Sequence, residues 1–175
     1  MATSQNGWPA LAADSTLLHT WVIQGKSGTT RIRMRGGSAG FLLAHCALWF
    51  DGKVEDLVEH VLDDWGYAYR PVRGYETTLS NHSSGTAIDL NATDHPLGAA
   101  GTFTPAECAA IRQRLNLYKG TIRWGGDYQG RKDSMHFEID APLAVAEKVA
   151  RGLLDTPRGK RLLKANPGQR AVILS

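Results

Sequence analysis

Between Trp21 and Gly40 the chain reads WVIQGKSGTTRIRMRGGSAG, and Ile32 and Met34 alternate with Arg31, Arg33 and Arg35. That period of two between glycines predicts a short strand or arm closed by a Gly-Gly turn. From Ser38 to about Trp65 the period changes. Leu42, Leu43, Ala47, Phe50, Val54, Leu57, Val58, Val61 and Leu62 fall near helical spacing, which predicts one long helix, or two stacked pieces divided at Gly52. In GYAYRPVRGYETTL, Pro71 and Gly74 oppose helix and the aromatic residues favour extended chain with a turn. TAIDLN then reads as a strand, with Ile88 and Leu90 on one face and Asp89 and Asn91 on the other.

HPLGAAGTF is a loop, and Thr104, Pro105 and Glu107 supply an N-cap, a first-turn proline and a capping-box acid for a helix through TPAECAAIRQRLNLY. GTIRW and HFEI are two strands joined by the polar, glycine-rich GGDYQGRKDSM. A helix from about Pro142 to Leu154 follows, and Thr156-Pro157 opens a last short one. The order predicts an α+β fold, a small and mainly antiparallel sheet packed against several helices.

At 175 residues and 42% hydrophobic content, the chain has enough apolar side chain to fill one core without cross-links. We expect a single domain: an N-terminal arm over residues 1–37, a core over 38–154 and a basic tail over 155–175. The formal net charge is only +3. Its excess sits in the tail, where Arg158, Lys160, Arg161, Lys164 and Arg170 face a single acid, Asp155, as on a solvated helical face. No arginine-rich stripe interleaved with aromatics occurs elsewhere, which argues against a nucleic-acid partner. Cys46 and Cys108 lack the spacing of a zinc or redox motif and are expected as buried, reduced thiols. The first residues carry no basic, apolar leader pattern, and GFLLAHCALWF is too short to span a bilayer. The expectation is a protein made in the cytoplasm, a monomer, with no transmembrane segment.

The chemistry concentrates in two of the strands. His82 and Asp89 flank the turn at Gly85, which lets both side chains reach one point. His136 alternates with Phe137, so if Phe137 and Ile139 pack inward, His136 and Glu138 face the opening. Two imidazoles and one carboxylate make a three-ligand zinc (Zn2+) set at the sheet face, with the fourth tetrahedral position left for water, as in catalytic zinc sites. Hydrolysis also needs a base, and Asp133 is the candidate, provided that residues 133–135 turn. Glu138 is expected to orient a ligand from behind, with the base role as its alternative. Arg70 or Arg73 could hold an oxygen that gains negative charge. His19, His45 and His60 are expected as packing or surface residues, while His95 and Trp124 could line the cleft.

The set Ser80, His82, Gly85, Ala87 and Asp89, written S-x-H-x-x-G-x-A-x-D, followed by Asp133 and His136 as acid-x-x-His, resembles the zinc-dependent D-alanyl-D-alanine carboxypeptidase and L-alanyl-D-glutamate endopeptidase family. Tyr69, Arg70 and Pro71 are similar to the segment that supplies the transition-state arginine in its dipeptidase branch. WGGDYQGRKDSMHFE resembles the phage endopeptidase branch. The resemblance covers about residues 65–140; Arg131 and Lys132, just before Asp133, depart from it by adding charge at the mouth of the site.

The resemblance implies a metallopeptidase that cuts the peptide stems of bacterial peptidoglycan. His82, Asp89 and His136 would hold zinc, Asp133 would act as base and Arg70 as oxyanion partner. From the residues themselves, Arg73, Ser80, Trp124 and His95 are the expected substrate contacts. The resemblance further implies a phage endolysin, released to the wall after another factor breaches the membrane, cutting L-Ala-D-Glu or a nearby bond. The alternatives are carboxypeptidase action at the terminal D-Ala, a non-catalytic wall-binding module with structural zinc, and a zinc amidase.

Overall fold

The computed structural model describes residues 2–59 and 63–175. The arm is an antiparallel hairpin of β1 (Leu18–Gln24) and β2 (Thr29–Arg35), two strands where the sequence pattern pointed to one. Ile32 and Met34 are buried and the intervening arginines lie further out, as the alternation predicts.

Helix α1 (Gly37–Lys53) starts directly after the Gly36-Gly37 turn and is apolar on every side, the pattern of a helix enclosed by protein. It packs on β1 and on three later helices, α3 (Leu143–Leu153), α4 (Pro157–Ala165) and α5 (Gln169–Leu174). The helical spacing predicted over 38–65 therefore ends early. Gly52 does not divide the helix; the break comes just after it, where the Asp51 carboxylate accepts hydrogen bonds from the backbone N–H groups of Lys26 (2.7 Å) and Leu57 (3.2 Å) and turns the chain back. Leu57 reaches the core from this turn. Trp65 lies in extended chain, bridged to Asp89. His60, Val61 and Leu62 are outside the described residues.

The second sheet is antiparallel, in the order β3 (Ala87–Asp89), β5 (His136–Ile139), β4 (Ile122–Trp124). Helix α2 (Pro105–Leu115) precedes β4 and carries the expected reciprocal capping box between Thr104 and Glu107. The sheet meets α1 through aromatic contacts. Phe50 stands edge-on to Phe137 at 6.0 Å and to Phe103 at 5.9 Å, and Trp124 stacks on Phe137.

The basic tail is structured. Leu162 of α4 and Ile173 of α5 enter the same hydrophobic cluster as Trp21, Phe41 and Phe137, while Lys160, Arg161 and Arg170 are exposed. Of the two cysteines, both free, Cys46 is buried but Cys108 only half-buried, because α2 lies at the surface and buries Ile111 alone. Among the described residues no helix is long and apolar enough to cross a membrane.

Candidate metal centre

Antiparallel register sets the centre. Ile88 is paired with Phe137 on the core side, so the next pair along the ladder, Asp89 and His136, points to the opposite face. The third residue arrives on a 3-10 turn, Asn81–Ser84, whose N-cap Ser80 accepts from the His82 N–H. Gly85 closes that turn at φ +67°, where a Cβ would lie 2.6 Å from the Arg35 nitrogen. Only glycine combines that backbone with that approach.

The three side chains converge, all buried. His82 Nε2 lies 3.2 Å from Asp89 Oδ1, His136 Nδ1 lies 2.8 Å from the same oxygen, and the two nitrogens are 3.3 Å apart. Donors on a tetrahedral zinc with bonds of about 2.0–2.1 Å stand about 3.3 Å apart, so this triangle is close to one tetrahedral face. The other ring nitrogens fit the same reading. His82 Nδ1 donates to the Gly66 carbonyl at 2.6 Å and His136 Nε2 to Glu138 Oε2 at 3.0 Å, which leaves a lone pair on each nitrogen of the triangle. Among the described residues no other group of three His, Cys, Asp or Glu side chains converges in this way.

In the metal-free protein burial works against the His136 imidazolium, yet hydrogen bonds to Asp89 and Glu138 push it up to about 10. Burial would raise the Asp89 carboxyl, but His82 first and then His136 hold it well below the usual carboxylate range. The pocket suits a cation, and its three donor atoms are close enough to hold a metal ion.

Glu138 is fully used. Its Oε1 accepts from Arg123 Nε (2.8 Å) and Tyr128 OH (2.7 Å), and its Oε2 accepts from His136 and from the Asn81 amide. These bonds place it to orient His136 from behind. Asp133 is the opposite case. The turn anticipated at 133–135 forms, with the His136 N–H donating to the Asp133 carbonyl at 3.0 Å. The carboxylate lines the cleft, and its buried Oδ1 has no hydrogen-bond partner among the described residues. Burial pushes its pKa up, with the neighbouring Asp89 charge adding to the shift and the two imidazoles opposing it.

The cleft over the triangle has a volume of about 310 Å3. Arg70, Arg73 and Ser80 line it, together with Arg131, and none of the three arginines has an acidic partner within ion-pair distance among the described residues. Trp124 and His95 lie elsewhere. The Trp124 indole is buried in the core and donates to the Ser134 carbonyl at 2.7 Å. His95 is buried against Phe103, with Nε2 2.8 Å from Glu55 Oε2. His45 packs beside Tyr118 and His19 beside Asn166.

Pattern reading overlooked Asn81, Arg123, Tyr128 and Gln5. Arg123 had a signal: in TIRW it alternates with Ile122 and Trp124, and it falls directly opposite Glu138 across the ladder. Asn81, Tyr128 and Gln5 had none, since polar residues in turns and arms are ordinary.

A family model described as D-alanyl-D-alanine carboxypeptidase matches residues 73–139, a span that holds the triangle and Asp133 but excludes Arg70 and everything before it. The match supports a zinc-dependent peptidase with peptidoglycan as its general class of substrate. No curated protein and no solved structure matches the chain.

Proposed function

We propose that this chain is a zinc metallopeptidase that hydrolyses peptide-stem bonds of bacterial peptidoglycan as an endolysin-type endopeptidase, at L-Ala-D-Glu or a nearby bond. The observation that carries the reading is the triangle of His82, Asp89 and His136 on the floor of a cleft, beside Asp133, whose buried Oδ1 has no hydrogen-bond partner among the described residues.

His82, Asp89 and His136 would hold the ion. When bound, zinc supplies Lewis-acid polarisation of a carbonyl and lowers the pKa of an attacking water toward about 7. Asp133 takes the proton from that water and returns it to the leaving amine, a task suited to a carboxylate whose pKa is raised and whose oxygen is free. Arg70 meets the oxygen that gains charge as the carbonyl carbon becomes tetrahedral; one such donor lowers a barrier by about 3 kcal/mol. Arg73 and Arg131 give the cleft a cationic rim that favours a peptide with free carboxylates, and Ser80 offers a hydroxyl to its backbone. The protein would act at the wall once another factor has breached the membrane.

Carboxypeptidase action at the terminal D-Ala is the second reading, favoured by the description of the matching family model. Mass spectrometry of fragments released from purified peptidoglycan by the zinc-loaded protein decides. Stems cleaved between L-Ala and D-Glu are expected. Release of D-Ala alone would replace the endopeptidase with the carboxypeptidase, and wall binding without any released peptide would end the enzymatic reading.

A further inference from the structure

The N-terminal segment before β1 lies outside the matched span, yet it is bonded along the whole turn that carries His82. The Gln5 N–H donates to the Leu79 carbonyl at 3.0 Å, the Leu11 N–H to the Ser83 carbonyl at 2.9 Å, and Ser4 Oγ to Ser84 Oγ at 2.8 Å. Between them sits Asn6. Its backbone N–H donates to Asn81 Oδ1 at 2.9 Å, and its side-chain amide donates to Thr86 Oγ1 at 2.8 Å and to the Ile139 carbonyl at 2.7 Å. One residue thus ties the His82 turn to the end of β5, the strand of His136.

The connection continues inward. A backbone N–H can only donate, so the bond from Asn6 fixes the Asn81 oxygen outward and directs its NH2 to Glu138 Oε2, the oxygen that also accepts from His136 Nε2. The chain of donors runs from the strap through Asn81 and Glu138 to the imidazole of the centre. We propose that Asn6 and Asn81 are positioning residues of the metal centre, with Gln5, beside Asn6, forming one wall of the cleft.

Asparagine suits position 81 in a way its acid analogue does not. Aspartate would still accept from the Asn6 N–H but would set a second carboxylate against Glu138, removing the donor that completes it. At position 6, aspartate keeps the acceptor for the Trp8 N–H (3.3 Å) and loses the donors to Thr86 and Ile139. Both changes are isosteric.

This inference rests on the reading of His82, Asp89 and His136 as a metal centre. The test is zinc affinity by chelator competition on the full chain, with the visible spectrum of the cobalt-loaded protein as a second readout, for the wild type, Asn6→Asp, Asn81→Asp and Trp8→Phe. Trp8→Phe removes a strap bond, from the indole N–H to the Ala141 carbonyl, that is no part of the Asn6–Asn81–Glu138 connection. Affinity is expected to fall about 10–100-fold in both asparagine variants, with an altered cobalt spectrum, and to stay within about twofold of wild type in Trp8→Phe. Folded asparagine variants with wild-type affinity and spectrum would overturn the positioning role and leave the metal reading standing. An equal loss in Trp8→Phe would reduce the strap to general stability and overturn it too. A wild-type chain that binds no zinc would overturn both. Should Asn81→Asp fail to fold, the half-buried Asn6 gives a milder Asn6→Ser variant, on which the same outcomes decide.

Discussion

Asp133 and Glu138 are two carboxylates a few residues apart with opposite circumstances, and their predictions differ accordingly. Asp133→Ala should lower turnover about 10^2–10^4-fold while zinc stays bound stoichiometrically, measured as peptide release against metal content; wild-type turnover would end its role as base. Its pH dependence has a definite sign. Asp133 works deprotonated, so activity should fall as acid protonates it, and in the metal-free protein burial raises its pKa. In chelator-treated protein the same shift acts on stability. The folded state holds the Asp133 proton more tightly than the unfolded state, so ionising it costs stability as pH rises through the raised pKa. Asp133→Asn should therefore melt higher than the wild type at neutral pH, read by thermal unfolding, although it is inactive.

At the scale of elements, the site is joined from a strand pair, a 3-10 turn and a strap. Strand register supplies Asp89 and His136 together, and a slip of one residue would exchange them for Ile88 and Phe137. The turn depends on Gly85. Gly85→Ala would add the left-handed backbone penalty of about 1–2 kcal/mol to a clash with the Arg35 backbone, and should weaken zinc binding because His82 moves with the turn. A cap remote from the site behaves differently. Thr104→Ala breaks the capping box of α2 and should cost about 1 kcal/mol in denaturant unfolding with peptide release unchanged. Capping was readable from the spacing Thr-x-x-Glu, because both partners lie within one turn. The end of α1 was not, because it is made by Asp51 reaching Lys26 and Leu57, contacts that no periodicity encodes.

For the whole molecule, α1 is the hub that ties the tail and the hairpin to the sheet. Leu162→Ala, in a tail that looked only basic from its charges, should cost about 2–5 kcal/mol in chemical denaturation, as for any leucine buried in the core. A negligible change would detach α4 from the core. Removing zinc with a strong chelator should abolish peptide release while helix content by circular dichroism largely persists, since the triangle sits on a sheet that Phe50, Phe137 and Trp124 hold from beneath.

Local spacing by itself pointed to strands within TAIDLN, GTIRW and HFEI and to the starts of α2, α3 and α4, because periodicity and caps are properties of neighbours along the chain; the motif resemblance added His82, Asp89, His136 and Asp133 as candidates. Tertiary structure alone decided that Glu138 accepts on both oxygens while Asp133 Oδ1 has no hydrogen-bond partner among the described residues, that Trp124 and His95 turn away from the cleft, and that an N-terminal strap reaches the centre through Asn6 and Asn81. Those outcomes depend on hydrogen bonds between residues distant in sequence, and donor geometry across such distances is set only when the core brings the elements together.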